Sequence, residues 1–262
     1  MRILFLGDIV GRSGREAVGK HLPGLRARLK IDVVIVNGEN ATHGAGISPD
    51  CCKELYGYGA DCITTGNHIW DKREIIPYID KDPKLVRPLN YPQGTPGKGH
   101  YVHQLQDGRK ILIVNAMGRL FMDAMDDPFA CMEMLLKNYA LKMNVNAIFA
   151  DFHSETTSEK MSFAHHFGGR VSAVVGSHTH IQTADAHVMT SGTAFQADAG
   201  MCGDYDSVIG IRKDIAIARF TRKMPTEKMV PADGEGTLCG IFIETDDSTG
   251  LARYIDRVQV GG

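Results

Sequence analysis

Five apolar runs in this chain stop abruptly at a small or polar residue, and a side chain able to hold a metal ion follows each one closely. Residues 3–6 give way to Gly7-Asp8, residues 33–36 to Asn37-Gly38-Glu39-Asn40, and residues 61–65 to Gly66-Asn67-His68. Residues 146–150 precede Asp151-Phe152-His153, and residues 171–175 precede Gly176-Ser177-His178-Thr179-His180. Runs of this kind read as buried strands ending at a sheet edge. Packing alone gives no reason to put Asp, Glu, Asn and His at five such ends, so these ends are read as the wall of one metal site.

Helical signals separate the strands. Ser13 and Glu16 have capping-box spacing and predict a helix to about residue 29. Ser48-Pro49-Asp50 and Thr156 open further helices, and the Met-rich 129–144 stretch predicts another whose methionines fill core space. Residues 110–114 add a strand, and the Pro- and Gly-rich 83–100 segment reads as a loop. Beyond His180 the pattern shortens into strands near 185–189, 193–197, 237–244 and 253–260. An irregular 200–235 stretch around residues 223–226 interrupts them. Alternating strands and helices imply parallel pairing with right-handed crossovers. The fold class expected is α/β, two mixed β-sheets packed face to face with flanking helices, as a single domain over residues 1–262.

Composition removes several function classes. The chain is 43% apolar and 23% charged, as soluble globular proteins are. Its 29 basic and 31 acidic residues are interspersed, with no basic stripe for gripping a polynucleotide backbone, so there is no strong nucleic-acid signal. No run reaches membrane-spanning length, and the opening apolar stretch is too short for a secretory signal. Six cysteines without a CxxC pair suit buried thiols in a reducing compartment. The expected location is cytoplasmic.

Mixed carboxylate, amide and imidazole donors without thiolate suit manganese, iron, zinc or nickel better than magnesium or calcium. The donors outnumber what one ion with an open position needs, and two ions sharing a carboxylate fit better. His178 and His180, two apart, share one face of an extended segment, which suits two adjacent ions. Gly7, Gly11 and Gly14 lack the spacing of a dinucleotide fingerprint.

These strings resemble the calcineurin-like metallophosphoesterase superfamily, whose pattern runs D-x-H, G-D-x-x-D, G-N-H-[DE], a lone His, then G-H-x-H. They are most similar to its YmdB-like bacterial branch, through 7–11, 37–40, 65–71, 153–160, 177–180 and 205–210 in order. The resemblance implies Asp8, Glu39, Asn40 and His180 around one ion. It implies Glu39, Asn67, His153 and His178 around the other, with Glu39 bridging and His68 as proton donor to the leaving oxygen. This chain departs from the wider pattern at Val10, where a metal-binding histidine is usual, and at Glu39, where the bridge is usually Asp. Asn40 would compensate through its amide oxygen. Asp204 stands where proline is expected before Tyr205.

The resemblance therefore implies a dinuclear phosphodiesterase acting on small phosphate diesters, 2′,3′-cyclic nucleotides in particular, by attack of a metal-held hydroxide. Iron or manganese is expected first, zinc or nickel next, and a symmetric homo-oligomer is common enough to expect. A broad-specificity phosphomonoesterase is one alternative. A metal-containing regulatory protein that binds nucleotide or RNA is another. His43, Arg12 and Arg119 are candidates for substrate contact, although loop residues of these types are often simply solvated. His165-His166 point apart on a helix and read as structural, as do the isolated His21, His100, His103 and His187.

Overall fold

Ile3 and Phe5 of β1 (Arg2–Leu6) face one way and Leu4 and Leu6 the other, and all four are fully buried. A strand apolar on both faces needs cover on both. In this computed structural model, which describes residues 1–222 and 227–262, it has that cover. The chain continues through β2 (Asp8–Ile9), α1 (Gly11–Leu29), β3 (Val33–Asn37), α2 (Pro49–Gly57), β4 (Cys62–Thr64), the short α3 (Ile76–Ile79) and β5 (Leu85–Val86). Then come β6 (His100–Gln104), β7 (Lys110–Met117), α4 (Pro128–Leu136), β8 (Ala147–His153), α5 (Thr157–His166) and β9 (Ala173–Ser177). The last elements are β10 (His187–Val188), β11 (Ala194–Gln196), β12 (Met201–Cys202), α6 (Lys213–Arg222), β13 (Leu238–Thr245) and β14 (Ala252–Val260).

Two six-stranded sheets result, ordered β14-β13-β1-β3-β4-β5 and β10-β11-β9-β8-β7-β6. Each is parallel in its middle and antiparallel toward an edge, so both are mixed, as expected. The inner faces meet in a core of Ile3, Phe5, Val33, Ile35 and Ile241 against Ile111, Ile113, Phe149 and Val175. Phe5 and Phe149 cross that interface with ring centroids 5.1 Å apart. The outer face of the first sheet packs Leu4, Leu6 and Val34 on Val18 and Leu22 of α1 and Leu55 of α2. That of the second packs Leu112, Ile148 and Val174 on Met132 of α4 and Phe163 of α5.

Several local expectations need correction. α1 starts at Gly11 without a side-chain cap, because its N-cap residue is Val10; Ser13 lies inside the helix and its Oγ donates to Gly234 O at 2.8 Å. α4 ends at Leu136 rather than near 144, since Asn144 takes the Ala140 N–H and gives its amide to Asn138 O, turning the chain. Met132 is core, but Met134 and Met143 face solvent. The 83–100 segment contains β5, and Arg87 ties it down through the carbonyls of Pro88, Thr95 and Pro96. The 200–235 stretch holds β12, which pairs with β2, and α6; residues 223–226 lie outside the described residues. Ser48 and Thr156 do cap α2 and α5. Among the described residues no helix is long and apolar enough to cross a membrane, and all six cysteines are free.

Candidate metal centre

The carboxyl ends of the parallel strands carry the ligand-type residues, where open α/β sheets place their sites. Asp8 follows β1 and Glu39 follows β3; Asn67 and His68 follow β4. His153 ends β8 in register with Ser177, the last residue of β9, and His178 follows directly. The two sheets supply the two halves of the cluster, which the inter-sheet core brings together.

Glu39, His153 and His178 form one set of candidate ligands, and Asp8, Glu39 and His180 a second. Within each set the donor atoms lie within 4.8 Å of one another, and Glu39 belongs to both. Asn40 Nδ2 lies 3.1 Å from His180 Nε2 and donates to Glu39 Oε1 at 3.0 Å. Asn67 Oδ1 lies 3.0 Å from His153 Nε2, which is also 3.1 Å from His178 Nδ1 and 3.2 Å from Glu39 Oε2. All seven residues singled out as ligands thus meet at one place. His68 sits at its rim: its backbone N–H donates to Glu39 Oε2, while its half-exposed ring holds Nδ1 2.8 Å from Asp71 Oδ2.

Burial makes this cluster costly without a cation. Asp8, Glu39 and His153 are almost completely enclosed, and among the described residues no Lys or Arg pairs with either carboxylate. Burial raises the Asp8 carboxyl above its ordinary range, against the pull of His180 and His153. Burial also opposes the charge on Glu39, but His153 outweighs it and holds that carboxyl down to about 2. The same contest raises His153 to about 9, Glu39 overcoming the penalty of burial. Burial, and then the charge on His153, lower His178 to about 3. Asp8 Oδ1 and Asn40 Oδ1 are buried with no hydrogen-bond partner. A buried polar atom left in this state costs about 1–3 kcal/mol. Two unpartnered oxygens, two carboxylates and converging imidazole nitrogens are what cations would satisfy, so the donor set fits the metals its pattern implies.

A surrounding layer that the sequence did not disclose orients the imidazoles. The Ser177 hydroxyl lies 2.8 Å from His153 Nδ1 and donates to Asp151 Oδ1 at 2.6 Å. Asp151 also accepts from Asn37 Nδ2 and Thr64 Oγ1, and burial raises its carboxyl to about 7. His180 Nδ1 lies 2.8 Å from Ile209 O, which frees Nε2 to face the centre. Partners of this kind fix tautomer and ring orientation in metal sites. Asp151 and His153 share one face of β8, and that spacing of two was the available signal. Val10, in place of a metal-binding histidine, is buried, and a Cβ on Gly210 would come within 2.7 Å of its side chain.

The other candidates stay outside the cluster. His43 is exposed, at φ 56°. Arg12 lies 3.6 Å from Glu16 and 3.8 Å from Asp233, and Arg119 lies 3.8 Å from Asp127. His166 pairs with Glu133 on the surface.

Comparison with known proteins identifies the family and the fold. A profile described as YmdB-like protein matches residues 4–258. The chain is 44% identical over 260 residues to a Bacillus subtilis strain 168 protein named 2′,3′-cyclic-nucleotide 2′-phosphodiesterase, covering 99% of this chain and 97% of that one. A crystal structure of a hypothetical protein from Thermus thermophilus superimposes with TM-score 0.92 at 39% identity, over 100% of this chain and 99% of that one. A structure described as a novel phosphatase from Mycoplasma pneumoniae gives TM-score 0.90 at 32% identity, over 100% and 93%.

Proposed function

This chain belongs to the YmdB-like protein family, and we propose that it is a metal-dependent phosphodiesterase acting on small phosphate diesters, with 2′,3′-cyclic nucleotides as its substrate class. The pair of buried, unpartnered oxygens beside two ligand sets that share Glu39 carries this reading. Asp8, Glu39, Asn40 and His180 would hold one ion, and Glu39, Asn67, His153 and His178 the other. When bound, such a pair neutralises charge on the phosphoryl oxygens and activates water at neutral pH. Oxygen and imidazole donors without thiolate suit iron, manganese, zinc or nickel, and the family resemblance puts iron or manganese first. The name of the Bacillus subtilis relative supports the cyclic nucleotide. Six unpaired thiols support a cytosolic location.

Hydrolysis joins a water oxygen to phosphorus and breaks one phosphorus–oxygen ester bond. The departing sugar oxygen is a poor leaving group until it is protonated. His68 would deliver that proton from Nε2, because Asp71 Oδ2, 2.8 Å away, occupies the Nδ1 side and leaves Nε2 free. The Ser177–Asp151 chain holds His153 so that Nε2 faces Glu39 and Asn67. The part of Asp8 is twofold: Oδ2 accepts the His178 N–H, leaving Oδ1 free for a ligand role.

His68→Ala tests the assignment. With about two ions still bound per chain, turnover of 2′,3′-cyclic AMP should fall roughly 10²–10⁴-fold, the range of general acid catalysis. Unchanged turnover of that ester would remove His68 from the mechanism. The neighbour described as a phosphatase favours a second reading, phosphomonoester hydrolysis at the same site. Comparing a cyclic nucleotide with its monophosphate at equal concentration separates the two.

A further inference from the structure

The His178–His180 turn is an unfavourable piece of backbone. His178 has φ 99° and His180 has φ 67°, both in the region that residues other than glycine seldom occupy. Such a residue persists only where its surroundings hold it there. The residue between them is Thr179. Both its N–H and its hydroxyl donate to one oxygen, Asp198 Oδ2, at 3.0 and 2.8 Å. The same oxygen receives Lys160 Nζ at 2.9 Å, and Asp198 Oδ1 receives the Gly200 N–H at 2.9 Å. Asp198 and Lys160 are each 1% exposed.

A fully buried lysine is unusual and needs a reason. Lys160 lies one turn into α5, whose start the Thr156 cap fixes. Its stem crosses β9 at Gly176, where a Cβ would come within 2.7 Å of Lys160 Cδ. The glycine that opens the Gly176–His180 string therefore makes room for the lysine that ends the 153–160 string. The hydrolysis described above uses neither Lys160 nor Asp198. Fold stability alone is a weak account of them, because a buried ion pair can often be replaced by apolar residues at little cost.

We propose that the buried Lys160–Asp198 pair and the half-buried Thr179 form a positioning unit that holds the His178–His180 turn in its left-handed conformation and so presents both imidazoles to the metal centre. Each ligand set contains one of these two histidines, so slackness in the turn would loosen both. Lys160 fixes where the carboxylate sits, and the carboxylate fixes Thr179. The outer ends of the turn have anchors of their own, His178 N–H on Asp8 and His180 Nδ1 beside Ile209 O. Only the middle depends on the ion pair.

This inference rests on the ligand roles given to His178 and His180 above, and the test separates the two. Mn²⁺ is titrated calorimetrically into chelator-stripped full-length protein, with circular dichroism melting of every variant. Thr179→Val removes only the hydroxyl bond to Asp198, and Thr179→Ser keeps it. The double variant Lys160→Met with Asp198→Asn preserves volume and charge balance but leaves one amide oxygen to serve two sets of donors. Phe149→Leu, in the inter-sheet core, is the control for general destabilisation. The expected result is a Mn²⁺ Kd raised about 10–100-fold in Thr179→Val and in the double variant, as for other supports of metal ligands. Thr179→Ser should restore tight binding, and Phe149→Leu should bind as the wild type does.

Kd values within twofold of wild type in Thr179→Val would overturn the proposal, and so would equal weakening in Phe149→Leu. If the double variant does not fold, the Thr179 pair decides alone. His180→Ala is the reference for the ligand reading: wild-type affinity there would refute that reading, and this inference with it.

Discussion

Gly66→Ala should empty the metal centre while leaving the fold intact. Gly66 lies just past β4, and a Cβ built there would sit 2.2 Å from Glu39 Oε2 and 2.3 Å from His153 Nε2. Ordinary van der Waals contact begins near 3.4 Å, so Glu39 would have to retreat by about 1.2 Å (3.4 − 2.2), and His153 by nearly as much. Metal–ligand distances tolerate only about ±0.2 Å. Glu39 is the residue common to both ligand sets, so its displacement disturbs both. A misplacement of about 1 Å at a reacting centre typically costs about 10²-fold in rate, and loss of the ions would deepen that. Gly66 is not among the glycines with positive φ, so alanine brings no left-handed strain of its own. The metal-free variant should therefore melt within a few degrees of metal-free wild type, with the same far-ultraviolet spectrum. Elemental analysis after Mn²⁺ reconstitution and gel filtration reads the outcome. A folded Gly66→Ala protein that retained two ions and wild-type turnover would show that Glu39 and His153 do not converge on a cation.

Three other consequences follow from the same geometry. Asp151→Asn leaves one oxygen to serve the three donors that Asp151 now accepts, loosening the support behind Ser177 and His153, and should weaken Mn²⁺ binding about 10–100-fold by calorimetry, whereas unaltered affinity would make Asp151 merely structural. Metal loading should release protons: His153, raised to about 9, carries a proton at neutral pH in the metal-free protein and must lose it to ligate. Apparent affinity should thus rise roughly tenfold per pH unit up to about 9 and flatten above, and calorimetry in buffers of different ionisation enthalpy counts the protons; pH-independent binding contradicts this. Chelation should lower the melting temperature: each ion at about 100 times its Kd contributes about 2.7 kcal/mol, which is about 5–10 °C per ion for a chain of this size. An unchanged melt would leave the buried Asp8 and Asn40 oxygens without the partners assigned to them.

The sheet architecture was legible because its cause is local. Buried parallel strands are apolar on both faces, and their ends are marked by a change to small or polar residues, as at Gly7 and Gly66. The ligand-type side chains were legible for the same reason, since each stands within a few residues of a strand end. What supports them was not, because it is assembled across the interface between the sheets. Asp151 gathers Asn37, from 114 residues away in the chain, with Thr64 and Ser177, and no spacing in the chain encodes that meeting. Likewise Lys160 reads as one more polar helix residue until Gly176 and Asp198 are seen beneath it. The helix boundaries failed where side-chain hydrogen bonds, local at the end of α4 and long-range at the start of α1, were not encoded in the spacing. Ser13 has the spacing of a cap yet gives its hydroxyl to Gly234, 221 residues distant. In α6, residues 213–222 were hidden by the irregular sequence around them.

Metal content and hydrolysis measured on one natively purified sample test the central claim most directly. Elemental analysis should find about two transition-metal ions per chain. The same sample should hydrolyse 2′,3′-cyclic AMP, lose that activity on chelation and regain it with Mn²⁺ or Fe²⁺. Protein that remained empty after either metal was added back would contradict the account, because the buried oxygens of Asp8 and Asn40 and the shared Glu39 would then have some other purpose.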